Sequence, residues 1–134
     1  MIILRSYVCG EWREGDAPRQ ELANPATGAA VAEAGTRGID MAAVLRYGRQ
    51  VGGPALREMT FAERGALLKT MSKVLYEARE ELIDASMLNA GTTRTDAKFD
   101  IDGATGTLAY YASLAKGLGD RRFLVEGEGE QLTR

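Results

Sequence analysis

The residues able to do chemistry in this chain are few. It contains no histidine, so proton transfer and nucleophilic attack fall to carboxylates, Lys, Tyr, hydroxyls and the single thiol, Cys9. Cys9 lies in Tyr7-Val8-Cys9-Gly10-Glu11-Trp12, an aromatic and β-branched stretch that predicts a strand broken by a turn-forming glycine. A nucleophilic thiol needs an activating base or a helix N-terminus, and a strand without histidine nearby supplies neither, so Cys9 reads as structural. Asp96, Asp100 and Asp102 form an acidic cluster in which Asp96 and Asp100 share a helix face, the spacing of an acid/base pair or of two metal ligands. Without a glycine-centred loop and a terminal glutamate, the cluster reads as helix-start carboxylates favoured by the macrodipole. Gly103-Ala104-Thr105-Gly106 and Gly127-Glu128-Gly129 lack the strand–loop–helix setting of a dinucleotide fingerprint. Lys69, Lys73, Lys98 and Lys116 fall in no pattern that would make an amine reactive. The residues alone assign no catalytic, cofactor-binding or metal-ligating group.

Composition narrows the class further. The 134 residues are 45% hydrophobic and 27% charged, which fits one ordinary globular domain. With 17 basic and 19 acidic residues the net charge is −2, and no basic field exists to attract nucleic acid. No apolar run approaches the roughly 20 residues that span a bilayer. A lone cysteine forms no disulfide within the chain. The expectation is a soluble, cytoplasmic protein that engages neither nucleic acid nor membrane.

Two regimes follow along the chain. Residues 1–38 predict a β ribbon, with Asn24-Pro25-Ala26-Thr27-Gly28 as a turn and Ala29–Glu33 as a strand, and Trp12 packing the ribbon onto a core. From Asp40 the periodicity is helical: Asp40 caps a helix over Met41–Gln50 that Gly52-Gly53-Pro54 stops. Thr60-Phe61-Ala62-Glu63 is a capping box opening a second helix over Phe61–Asn89. A third helix starts near Thr95 or Asp96 and ends near Gly119, and Arg121–Glu126 reads as a strand before an acidic tail. Gly103 and Gly106 each cost the third helix about 1 kcal/mol against alanine, which predicts close approach of another backbone. At ~1.5 Å per residue the second helix would run about 43 Å, while a compact chain of this size has a radius of gyration of only ~14 Å. Either that helix is broken or these elements cover a larger body.

The joints of these elements resemble the N-terminal part of an aldehyde dehydrogenase. Tyr7-Val8-Cys9-Gly10-Glu11-Trp12 is similar to the family's opening aromatic-x-x-Gly-x-Trp strand, Asn24-Pro25-Ala26-Thr27-Gly28 to its Asn-Pro-(Ala/Thr)-Thr-Gly turn, and Glu63-Arg64 with Leu67 and Leu68 to its long second helix. The segments Gly38–Ala43, Pro54–Phe61 and Asp100–Gly103 resemble the bacterial ring-degradation branch, which includes the dehydrogenase half of the bifunctional phenylacetate-degradation enzyme and the semialdehyde dehydrogenase of the benzoyl-CoA pathway. The resemblance implies an α/β fold, of which this chain is an incomplete, mainly helical part of the cofactor-binding domain, with residues 121–134 leading to an assembly arm. It implies a parent enzyme that uses NADP or NAD to oxidise a CoA-linked semialdehyde, and as partners the remainder of the dehydrogenase and like subunits. The family's catalytic Cys, activating Glu, oxyanion-site Asn and nucleotide-binding strands lie beyond Arg134, so no catalytic role passes to Cys9. The expectation is an inactive N-terminal segment that binds no cofactor alone; the alternative is a stand-alone helical interaction module descended from such an enzyme.

Overall fold

Short polar side chains start the helices of this chain, and their caps are visible in a computed structural model that describes residues 1–124. Asp40 accepts from the Ala43 N–H at 2.9 Å and opens α1, Met41–Tyr47. Thr60 and Glu63 close the expected capping box: the Glu63 N–H donates to Thr60 Oγ1 at 3.2 Å, and the Thr60 N–H donates to Glu63 Oε2 at 2.8 Å. This box opens α3, Phe61–Glu77. Loss of the cap in Thr60→Ala is expected to cost about 1 kcal/mol, read as a lowered urea midpoint; an unchanged midpoint would contradict the box. Thr93 caps the longest helix, Arg94–Leu118 (α5), by accepting from the Asp96 N–H. That start is one residue earlier than the sequence suggested, because Thr93 rather than Thr95 takes the cap.

Two helix boundaries depart from expectation. Gly52-Gly53-Pro54 does not end the first helical run. Gly48–Gly52 form a π turn, and α2, Gly53–Glu58, continues from it. Pro54 sits in the first turn of α2, directly after the π turn. The long second helix is broken at Ala78 (φ −90°, ψ 12°), so α3 gives way to α4, Arg79–Ala90. The break brings both α3 and α4 against α5, and Ile83 of α4 is the one large side chain fully buried among the described residues. Gly91, at φ +65°, ends α4 in the left-handed region.

The β part is two small sheets. β2 (Ser6–Val8) and β3 (Glu11–Arg13) form a hairpin in the register Tyr7 opposite Trp12 and Val8 opposite Glu11. Its two loop residues, Cys9 (φ +51°) and Gly10 (φ +88°), are both left-handed, as a tight hairpin turn requires. Cys9 therefore lies at an exposed turn, not inside a strand as the sequence reading had it. Trp12 is also corrected: it is 60% exposed and stacks edge-on against Tyr7 at 5.2 Å, with Arg5 over its ring, instead of filling a core. The second sheet has the order β1–β5–β4, with β1 (Ile2–Ile3) parallel and β4 (Gln20–Ala23) antiparallel to β5 (Ala30–Ala34). The Asn24–Gly28 turn joins β4 to β5 as expected, with Asn24 Oδ1 accepting from the Ala26 N–H at 2.8 Å.

The helical layer centres on α3 against α5. Gly65 is buried where the two cross: a Cβ there would lie 2.5 Å from Ala115 Cβ. The first N–H groups of α3 donate to the chain just past α5, Phe61 to Arg121 O and Ala62 to Gly119 O at 2.8 and 2.9 Å. Residues 121–124 form no strand, and the rest of the strand and acidic tail read from the sequence lie outside the described residues.

On α5, Ala97, Thr105, Ala112 and Ala115 are buried. Phe99, Gly103, Tyr110 and Leu114 fall on the opposite side at 3.6 residues per turn, and Gly106 lies at its edge, beside α3. There Phe99 is 81% exposed, and no atom lies within 4 Å of a Cβ at Gly103 or Gly106. The close backbone approach expected at these two glycines is therefore not made among the described residues. α5 carries small or apolar residues on two opposite faces, and the described residues cover one.

Candidate functional site

The acidic cluster singled out by spacing is dispersed. Asp96 belongs to the Thr93 cap, with the Thr93 hydroxyl donating to Asp96 Oδ2 at 2.7 Å. Asp100 stands exposed. Asp102 accepts a two-pronged contact from Arg79, Nε to Oδ1 at 2.6 Å and Nη2 to Oδ2 at 2.8 Å. Among the described residues no group of three or more His, Cys, Asp or Glu could hold a metal ion. Cys9 lines a cleft with Glu11, Arg13 and Asp40; Arg13 engages the Glu11 carboxylate and Asp40 caps α1.

Charge pairing fixes the junction of α3, α4 and α5. The Arg79 hydrogen bond holds the Asp102 carboxyl below the usual carboxylate range, and Asp102 in turn raises the Arg79 guanidinium. Arg79 also pairs with Glu80, and Arg94 with Glu80 and Asp84. Glu63 is likewise lowered, chiefly by the Thr60 backbone N–H and then by its hydroxyl. A depressed carboxylate contributes stability that is present above its unfolded value, about pH 4, and is lost as pH falls through the folded value. The acid limb of the melting curve is therefore expected to flatten in Arg79→Met, and an unchanged limb would remove the pair from the acid response. The carboxylates are exposed, although the Arg79 side chain is only 20% so, and the effect is small and salt-sensitive.

Beside this junction runs a groove of about 640 Å³ between α3 and α5. Lys69, Ser72, Lys73 and Tyr76 line one wall at i, i+3, i+4 and i+7, a single face of α3. Thr105, Gly106 and Ala109 of α5 form the other wall. The Ser72 hydroxyl bridges the walls by donating to Thr105 O at 2.9 Å, and the Arg79–Asp102 pair closes one end. The groove has no nucleophile–base pair; it is equipped to bind, not to react. Sequence reasoning took its lysines one at a time, although their spacing with Ser72 and Tyr76 was the available signal.

The strand-to-helix joint after β5 is filled where a phosphate would sit. β5 leads through Gly35-Thr36-Arg37-Gly38 to α1, a strand-to-helix joint with a glycine at each end. The Asp16 carboxylate occupies the space a Cβ of Gly38 would fill, and Asp40 already caps α1. A phosphate there would meet negative charge and a spent N–H group.

With this geometry, the chain belongs to the aldehyde dehydrogenase family, whose sequence profile matches residues 12–134. Within that family it is similar to the 3,4-dehydroadipyl-CoA semialdehyde dehydrogenase of Aromatoleum evansii, with 42% identity over 124 residues that make up 92% of this chain and 24% of the relative. Retinal dehydrogenase 2 of Mus musculus is 29% identical over 133 residues, 96% of this chain and 26% of the relative. Among solved structures, an NAD-dependent benzaldehyde dehydrogenase from Corynebacterium glutamicum superposes with a TM-score of 0.69 at 25% identity, over 84% of this chain and 25% of that one. A betaine aldehyde dehydrogenase from Staphylococcus aureus, solved with NAD+, shares the fold with a TM-score of 0.72 at 23% identity, over 82% of this chain and 23% of that one. The described elements are thus part of the α/β dehydrogenase fold. The chain spans about a quarter of the length of the relatives it matches.

Proposed function

We propose that this chain is the N-terminal segment of an NAD- or NADP-dependent dehydrogenase that oxidises a CoA-linked semialdehyde in bacterial breakdown of aromatic compounds, and that it has no turnover alone. The observation that carries the substrate class is the 42% identity to a CoA-semialdehyde dehydrogenase across 92% of the chain. What supports inactivity is the span of the match, about a quarter of the length of the relatives. Bound cofactor would accept hydride from the aldehyde carbon, and the residues for that chemistry lie elsewhere in the dehydrogenase on this reading.

The segment's own work is packing. α3 and α4 support one face of α5, and the Phe99–Leu114 face is left for the rest of the enzyme to cover. Its partners are the remainder of the dehydrogenase and like subunits, and its setting is the cytoplasm. The test is aldehyde-dependent reduction of NAD or NADP. The purified chain is expected to show none, whereas the full-length dehydrogenase carrying it turns over a CoA-linked semialdehyde. Turnover by the chain alone, or a dehydrogenase that takes only free aldehydes, would overturn the reading.

A further inference from the structure

We infer that the α3–α5 groove seats the 3′-phospho-ADP end of coenzyme A, the handle by which a CoA-linked substrate is held. The inference rests on the reading that the substrate is such a thioester. Its basis is the combination of charge, ring and floor in one concavity. The 3′-phospho-ADP group carries a ribose phosphate and a diphosphate beside a planar base, so a seat for it needs separated cations and a flat apolar contact. Lys69 and Lys73 stand one helical turn apart on the groove rim, about 5–6 Å between Cβ atoms, and can meet two phosphate groups separately.

Both cations are available. Lys69 has no carboxylate within ion-pair distance among the described residues, and Lys73 faces Glu77 across an exposed 3.7 Å that a phosphate can displace. Arg79 is not a candidate clamp, because Asp102 and Glu80 already engage it; it serves as the fixed end of the groove. Tyr76, 63% exposed, offers a ring against which adenine can stack. Across from it, Gly106 presents bare backbone with open space where a Cβ would be, next to the small Ala109, so a planar base can lie flat on α5. The groove's volume, about 640 Å³, falls among ordinary small-ligand sites of roughly 300–1,000 Å³.

The test is calorimetric titration of the full-length dehydrogenase carrying this chain with coenzyme A, NADP and pantetheine in parallel. Coenzyme A is expected to bind saturably and more weakly as salt rises, and pantetheine not to bind. Lys69→Ala with Lys73→Ala should weaken coenzyme A at least tenfold with an unchanged circular dichroism spectrum, while the double Lys→Arg variant retains binding. No coenzyme A binding, binding indifferent to the lysines, or NADP held as tightly through the same lysines would each overturn the assignment. If coenzyme A fails to bind while the full-length dehydrogenase still oxidises its CoA-linked semialdehyde, the groove assignment falls alone. If the dehydrogenase proves specific for free aldehydes, the functional reading falls with it.

Discussion

Gly65→Leu is expected to abolish the cooperative unfolding transition of this protein, and Gly65→Ala to lower its stability by about 1–3 kcal/mol, the usual cost of overpacking a close contact. The direction is what makes this informative. Glycine inside an exposed helix is worth about 1 kcal/mol less than alanine, so propensity alone predicts that Gly65→Ala stabilises. The structure predicts the reverse, because a Cβ at this position meets Ala115 Cβ at 2.5 Å and Ala112 O at 3.2 Å. Both neighbours belong to the body of α5, so relief requires the two helices to separate along their main contact. A urea melt in which Gly65→Ala raises the midpoint would show that α3 and α5 do not cross here.

Gly91→Ala is expected to cost about 1–3 kcal/mol, the range for a residue forced into a sparsely populated backbone conformation. Two effects combine. The residue sits at φ +65°, and a Cβ there would lie 2.8 Å from Pro25 Cγ and 3.3 Å from the Ala26 nitrogen. The Asn24–Gly28 turn thus rests on the end of α4, tying the β ribbon to the helices. Because the two sites touch, Pro25→Ala should recover part of the loss, giving a non-additive pair. Strict additivity in the double-mutant cycle would mean that turn and helix end are not in contact.

What was legible in the sequence was local. The Thr60–Glu63 box, the Asp40 cap and the Asn24–Gly28 turn are each set by a few neighbouring residues bonding their own backbone, and each forms where the sequence placed it. What was not legible depends on partners far along the chain. Ala78 carries no breaking residue, yet α3 ends there because both α3 and α4 have to meet α5. The Arg79–Asp102 pair joins residues 23 apart in sequence, so a reading of α5 alone placed Asp102 among helix-start carboxylates and hid its real partner. Trp12 followed the general habit of aromatic burial, but a two-stranded hairpin gave it only Tyr7 and Arg5 to lean on. The family resemblance, by contrast, rested on the turn and cap motifs at the joints. These are the same short-range features, and the profile match over residues 12–134 bears it out.

The central claim is that α5 is built to be covered on both sides and that this chain covers one. A titration of the purified chain with a dye that fluoresces on apolar surfaces tests it most directly. The expected result is saturable enhancement that falls when Phe99 and Leu114 are both replaced by serine. A chain that gives no enhancement, as a self-sufficient closed protein would, contradicts the claim and favours the stand-alone module.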